Sequence, residues 1–369
     1  MKTVIITDGK YRSAIAAART FSRAGWQVVV TQTREDTKTD PPVFASRHVS
    51  ERRWIDGAAA DAAYPDRLLA LTRAYARPVL FCVGAVTLAA VSRERERFAQ
   101  SCDFLIAPPD VLDALNDKET VHRRALELGL PVPREYDGAP DRYPVVIKPR
   151  CGEKFGLKAA DRYRIAANEA EYAAALEAMR RYDDAPLVQE CVAGAGMGVS
   201  LVLDGAHRPA AAICHRRIRE YPIAGGPSAC CESIYDAEKI EQACRLLRSF
   251  DFVGIAMVEF KGDCILEVNP RVWGSFPLTA CANSPFALRY AEAASGTLRN
   301  NPLCDYETGV RMRFLLNDAL ATLQLLGRGR LREGFAGIGD LFRAREALAD
   351  RDDPGPLRAY VRAAFRGVL

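Results

Sequence analysis

Hydrophobic and polar positions alternate along the first third of the chain between two periods. Residues 3–7 (TVIIT) form a short apolar run closed by Asp8-Gly9. From Ser13 to Ala24 the apolar residues Ala14, Ile15, Ala18 and Phe21 recur at helical spacing and stop at Gly25. WQVVVT at 26–31 is a β-branched strand. The pattern then predicts a helix at 65–76, a strand at 78–84, a helix at 87–100 and a strand at 103–108. Strand–helix–strand order predicts a parallel sheet, so this region reads as a small doubly wound α/β lobe.

The rhythm changes after residue 112. Asn116 to Leu128 is helical, Gly129 ends it, and LPVP at 130–133 is an extended link. YPVVIKP (143–149) is a strand, CGEKFGLKA (151–159) a loop carrying glycines and lysines, 168–182 a helix, and PLVQECV (186–192) a strand. Strands at 199–205, 209–217, 254–262 and 264–270 look antiparallel, with a helix near 236–250 between the two pairs. This is an α+β lobe. From residue 311 the pattern is helical and strongly basic, and Arg recurs beside Leu, Phe and Val. Such a segment either packs one face on the core or serves as an amphipathic surface for a partner or a membrane.

Composition narrows the class. The 369 residues suffice for two or three lobes, and 49% apolar with 27% charged residues is the balance of a soluble globular protein. A net charge of +4 is too mild for a dedicated nucleic-acid binder. No apolar run reaches the roughly 20 residues of a membrane span, and the N-terminus lacks the apolar stretch of a signal peptide. The eleven cysteines are odd in number, contain no CxxC and include the adjacent pair Cys230-Cys231, so reduced thiols and a cytoplasmic location are expected. The turn after the first strand keeps one glycine of a G-x-G-x-x-G fingerprint and does not predict NAD binding.

The densest chemical signal is VEF (258–260) followed by LEVNPR (266–271). Acidic residues interrupting apolar strands are costly unless something pairs them. On one strand Glu267 and Asn269 share a face, and Glu259 lies on the other arm of the same hairpin. Three such oxygen ligands suit Mg²⁺, with Mn²⁺ as an alternative, when the ion also holds phosphate oxygens. Arg271 follows as a fixed positive charge. A two-residue turn at Gly262-Asp263 would pair Glu259 with Leu266 and flip Glu267 to the opposite face. The metal reading therefore predicts an odd-numbered connection, most simply a three-residue loop Lys261-Gly262-Asp263.

Other residues complete the picture. Lys148 ends an apolar strand and Lys118 begins a helix. The loop holding Gly152 and Gly156 could lay backbone N–H groups over phosphates and close as a lid. Gln189, Glu190 and the Val192 backbone follow an apolar strand, where they could meet an adenine edge. His215, Arg217 and Arg219 alternate onto one face of AICHRRIRE, and with Gly225, Gly226 and Ser275 they are the candidate substrate residues.

The order lysine, lysine at a strand end, glycine-bearing loop, Q-E-C-V, then E…E-V-N-P-R resembles the ATP-grasp superfamily over residues 1–310. LEVNPRVWGS is similar to a segment of the carbamoyl phosphate synthase large chain, and AGGPSACC (224–231) to another segment there. The resemblance implies an α/β pre-grasp lobe (1–112), an α+β ATP-grasp domain (113–310, in subdomains 113–188 and 189–310) and a helical C-terminal extension (311–369). It implies that Lys118 and Lys148 contact ATP phosphates, that Glu190 and the Val192 backbone hold the adenosine, that Glu259, Glu267 and Asn269 hold the metal, and that Arg271 stabilises the transferred phosphoryl group. The chain departs from the synthase pattern at Trp273-Gly274, Cys281 and Gly226-Pro227, and it lacks a biotin-type Met-Lys-Met site. The expected activity is ligation of a small carboxylate to an amine through an acyl phosphate. Bicarbonate activation through carboxyphosphate and a non-catalytic nucleotide-binding role are the alternatives. A homodimer is compatible with this reading.

Overall fold

The computed structural model describes residues 2–151, 157, 162–223, 225–299 and 301–365. Gly152 and Gly156, and most of the expected lid, lie outside the described residues.

The first lobe contains β1 (Thr3–Ile6), α1 (Arg12–Arg23), β2 (Gln27–Thr33), β3 (Glu51–Ile55), α2 (Tyr64–Thr72), β4 (Val79–Phe81), α3 (Ala85–Arg93) and α4 (Arg95–Ala99). Its four strands are all parallel, in the order β3-β2-β1-β4. Two expectations change here. The predicted helix 87–100 is broken at Glu94 into α3 and α4. The predicted strand 103–108 makes only a bridge from Asp103 to Val79, because the Leu105 N–H leaves the ladder and donates to Tyr290 Oη at 3.1 Å. The edge strand β3, ERRWI, was not anticipated, since its charged residues suit an edge and break the apolar run.

α5 (Pro109–Asn116) and α6 (Lys118–Glu127) lead into the second part. β5 (Val145–Lys148), β6 (Arg164–Ala166), α7 (Glu169–Arg180) and β7 (Leu187–Glu190) make a small antiparallel lobe ordered β6-β5-β7. It has its own core of Val145, Ile147, Ala166, Ala175, Met179 and Val188.

The large sheet follows: β8 (Gly196–Leu203), β9 (Pro209–Glu220), β10 (Ser228–Ile234), α8 (Ala237–Arg248), β11 (Gly254–Lys261), β12 (Cys264–Asn269), α9 (Pro277–Cys281), α10 (Phe286–Ala294), β13 (Arg311–Arg313), α11 (Leu315–Gly327), α12 (Leu331–Arg343), β14 (Arg345–Glu346) and α13 (Gly355–Phe365). Seven strands run in the order β12-β11-β8-β9-β10-β13-β14, so the C-terminal segment contributes two strands as well as helices. One apolar core joins α1 and the first sheet to this large sheet through Trp273, Phe276, Phe286 and Tyr290. The first lobe is thus fused to the large sheet, while the small lobe stands over it with a separate core.

Candidate active site

The β11–β12 hairpin sets the geometry. It opposes Met257 to Asn269, Glu259 to Glu267, Phe260 to Ile265 and Lys261 to Cys264. The connection is therefore the two-residue turn Gly262-Asp263, not the expected three-residue loop, and Gly262 takes φ +55°, as the first central position of a type II′ turn requires. The carboxylates still share a face because the register shifts between Glu259 and Phe260, leaving Leu266 without a partner on β11. That one-residue bulge restores the parity the short turn would have lost. It also frees the Leu266 carbonyl, which lies 2.9 Å from His122 Nε2 and accepts from Lys148 Nζ at 3.5 Å.

Around the two carboxylates, acids and cations alternate. Asn269 Nδ2 donates to Glu259 Oε1 at 3.2 Å and lies 3.4 Å from Glu267 Oε1. Arg271 Nη2 donates to Asn269 Oδ1 at 3.1 Å, which fixes the guanidinium beside the pair. Lys118 Nζ is 3.2 Å from Glu267 Oε2. Lys118 is placed by its helix start, where the Asp117 side chain accepts from Thr120 N at 2.7 Å as an N-cap. Arg217 on β9 forms an ion pair with Glu259 and a second one with Glu220 at 3.2 Å.

These contacts tune the acids in opposite directions. Burial raises the pKa of Glu259, Arg217 opposes the rise, and the neighbouring Glu267 adds to it. Burial also works to raise Glu267, but Lys118 and Lys148 outweigh it and hold its carboxyl well below the usual range. Burial, assisted by Lys118, pushes the Lys148 ammonium down to about 8. Lys148 is therefore charged below pH 8 and neutral above it. If only the charged form meets phosphate, the dissociation constant of an ATP analogue rises about tenfold between pH 7 and 9. Calorimetric titration across that range checks this, and Lys148→Arg should flatten the profile.

The opposed carboxylates and Asn269 fit a hard cation, which would relieve the repulsion that raises Glu259. Among the described residues no group of three or more His, Cys, Asp or Glu side chains forms a metal cage. The remaining coordination positions would fall to phosphate oxygens and water.

The other expected residues separate into those at the site and those elsewhere. Glu190, exposed at the end of β7, accepts from Arg134 N at 3.0 Å. Gln189 is buried, with Nε2 donating to Glu135 Oε1 at 2.8 Å. Val192 lies just beyond the strand. His215 is buried with Nε2 3.2 Å from Ser275 Oγ, and burial together with Arg217 pushes it down to about 3, so it is neutral at physiological pH. Its ring fits because Gly198 faces it, where a Cβ would stand 2.3 Å from Cε1. Gly225 and Gly226 lie in the turn between β9 and β10.

Arg219 is not with them. The β9–β10 ladder pairs Cys231 with Arg217 but Cys230 with Arg219, so Ile218 is an extra residue. This second bulge turns Arg219 to the face opposite Arg217 and His215, correcting the expected alternation. There Arg219 Nε lies 2.6 Å from Asp318 Oδ1 and Nη1 lies 2.8 Å from Asp340 Oδ2, in a buried cluster beneath α11 and α12.

A network the sequence did not reveal borders the site. His122 Nδ1 lies 2.6 Å from Glu135 Oε1 and 2.7 Å from Gln189 Nε2. With Nε2 at the Leu266 carbonyl, His122 ties α6, the link before β5, β7 and the bulge together. The one available signal was that His122 sits one helical turn after Lys118, on the buried face of α6.

Comparison with known proteins agrees with this geometry. Residues 115–275 match the ATP-grasp domain family. No curated protein matches the chain. Among solved structures, biotin carboxylase of Campylobacter jejuni in complex with β,γ-ATP is 15% identical, with a TM-score of 0.61 over 84% of this chain and 74% of that one. N5-carboxyaminoimidazole synthetase of Staphylococcus aureus is 16% identical, with a TM-score of 0.61 over 82% and 79%. The biotin carboxylase domain of Hydrogenobacter thermophilus 2-oxoglutarate carboxylase, with MgADP and bicarbonate, is 13% identical, with a TM-score of 0.61 over 84% and 73%. The matched segment spans the paired glutamates, both lysines and Arg271, so residues 115–275 are an ATP-grasp domain, and the chain shares its fold with these enzymes.

Proposed function

We propose that this protein is an ATP-dependent ligase that activates a small carboxylate as an acyl phosphate and joins it to an amine. The observation that carries the reading is the opposition of Glu259 and Glu267 on one sheet face, with Asn269 between them and Lys118, Lys148 and Arg271 around them. Glu259, Glu267 and Asn269 would hold Mg²⁺ or Mn²⁺, which supplies charge neutralisation between phosphate oxygens. Lys118 and Lys148 meet the phosphates of ATP, and the end of β7 at Glu190 and Val192 meets the adenosine.

The substrate carboxylate oxygen attacks the γ-phosphorus and ADP leaves. The amine nitrogen then attacks the acyl carbon, phosphate leaves, and the nitrogen gives up a proton. The protein contributes position and charge, as phosphoryl transfer requires. Arg271 offers a planar fork to the transferred group. Neutral His215, Ser275 and Arg217 lie on the substrate side of the same sheet.

ADP release measured across carboxylate–amine pairs, with and without bicarbonate, tests the reading. Release that needs both an organic carboxylate and an amine supports it. Release on bicarbonate alone shifts the function to carboxyphosphate chemistry, and nucleotide binding without release under any condition leaves a non-catalytic binder. Arg271→Lys should lower turnover at least a hundredfold while nucleotide affinity stays within a few-fold, because an ammonium does not reproduce the fork. Loss of nucleotide binding instead would make Arg271 a ground-state ligand.

A further inference from the structure

Helix α12 is built the reverse of an ordinary surface helix. Its inward face is made of Gly334, Gly337 and Asp340, all buried. The glycines admit α11: a Cβ at Gly334 would stand 2.3 Å from Leu326 Cδ2, and one at Gly337 would stand 2.4 Å from Thr322 Oγ1. Asp340 is held by Arg219 at 2.8 Å and Arg311 at 2.7 Å. The large apolar residues face out. Leu331, Phe335, Ile338 and Phe342 recur at i, i+4, i+7 and i+11, and Phe335 and Phe342 are 63% and 89% exposed. On α11, Leu316 and Leu323 are exposed one heptad apart. The two packed helices thus present a broad apolar face to solvent, far more than scattered surface apolar residues.

Charge selects what covers it. At the hairpin tip Arg328, Arg330 and Arg332 are exposed, and Arg343 is exposed at the far end of α12. Among residues 315–345 the acids are Asp318, Glu333 and Asp340; the two aspartates are buried on Arg219, and Glu333 is paired with Arg330. A two-fold contact between copies would bring this basic face against itself. A surface carrying both acyl chains and negative headgroups complements both features at once. Among the described residues no helix is long and apolar enough to cross a membrane, so the contact lies in the interface plane.

We propose that the α11–α12 face docks the protein on an anionic lipid surface, with Phe335 and Phe342 entering the acyl boundary and the flanking arginines meeting headgroup phosphates. The test is co-sedimentation of the full chain with vesicles of phosphatidylcholine containing about a third phosphatidylglycerol, and with phosphatidylcholine alone. Binding is expected on the anionic vesicles, at least tenfold weaker on neutral ones, and reduced by about 0.5 M salt. The double variant Phe335→Ser/Phe342→Ser should weaken it at least tenfold with an unchanged thermal midpoint, since both side chains are exposed. Absence of vesicle binding, or equal binding to both vesicle types, overturns the proposal. So does a dimer in sedimentation equilibrium that the double variant dissociates, which would assign the face to a second copy.

Discussion

Glu267→Gln is expected to reduce turnover by about a thousandfold or more, about 4 kcal/mol of barrier, while the fold is retained. Glutamine occupies the same volume on β12 and can still meet Asn269, so the hairpin register has no reason to change. What disappears is one of the two opposed negative charges and the partner of Lys118, 3.2 Å away. Lys148 then loses a carboxylate that favours its charged form, so its proton affinity falls further below its already lowered value. The loss should be larger in a single-turnover ADP measurement than in nucleotide affinity, because the missing charge matters most as the phosphoryl group transfers. Thermal unfolding monitored in parallel separates a chemical defect from a folding one. Turnover within tenfold of the parent would remove Glu267 from the proposed metal site.

Arg219→Met should be the most destabilising single change proposed here, costing about 3–5 kcal/mol. The guanidinium bridges Asp318 and Asp340, whose side chains are 1% and 2% exposed. Removing it leaves two buried carboxylates with only Arg311 to answer for Asp340. The thermal midpoint is expected to fall by about 4–7 °C. The pH dependence has a definite sign. Asp340 is held below its ordinary pKa, against burial, by Arg311 and Arg219, so its contribution is present at neutral pH and fades as pH falls through the acid range. The gap between parent and variant therefore stays full from pH 7 down to about pH 4 and narrows only below it. Below the variant's midpoint, substrate KM should be unchanged. A variant with normal stability but a raised KM would return Arg219 to the substrate site.

Both predictions turn on features that the alternation of residue types does not carry. Part of the order of strands and helices was readable because apolar periodicity follows burial, although β6, β10, α5, α9 and α10 were not read from it. The glutamates, the asparagine and Arg271 were readable because polar groups inside apolar strands need a reason to be there. The two bulges were not. Leu266 and Ile218 are ordinary strand residues, and one extra residue in a ladder leaves no compositional trace, yet each reverses the face of everything beyond it. At Leu266 the reversal rescued a site that a two-residue turn would have split. At Ile218 it removed Arg219 from that site. His122 and Glu135 escaped notice, and Gln189 was read toward the adenine rather than toward them, for a different reason: the three come from α6, the link before β5 and β7, and only the tertiary fold makes them neighbours. The edge strand β3 was hidden by its charges, and the segment at 103–108 looked like a strand because it is apolar, although its backbone is satisfied partly by a tyrosine.

The Leu266 carbonyl has a consequence for how this site can vary through descent. Lys148 belongs to the small lobe and reaches the large sheet at that oxygen, and His122 meets it from α6. The receiving atom is main chain, so no codon change at position 266 can delete it. Any residue that keeps the extra position in β12 keeps the acceptor. Insertions or deletions are another matter, because losing one residue anywhere between Gly262 and Glu267 would straighten the ladder, return the oxygen to a strand partner and part the two glutamates together. Tolerance at this place should therefore be wide for substitution and nearly absent for length.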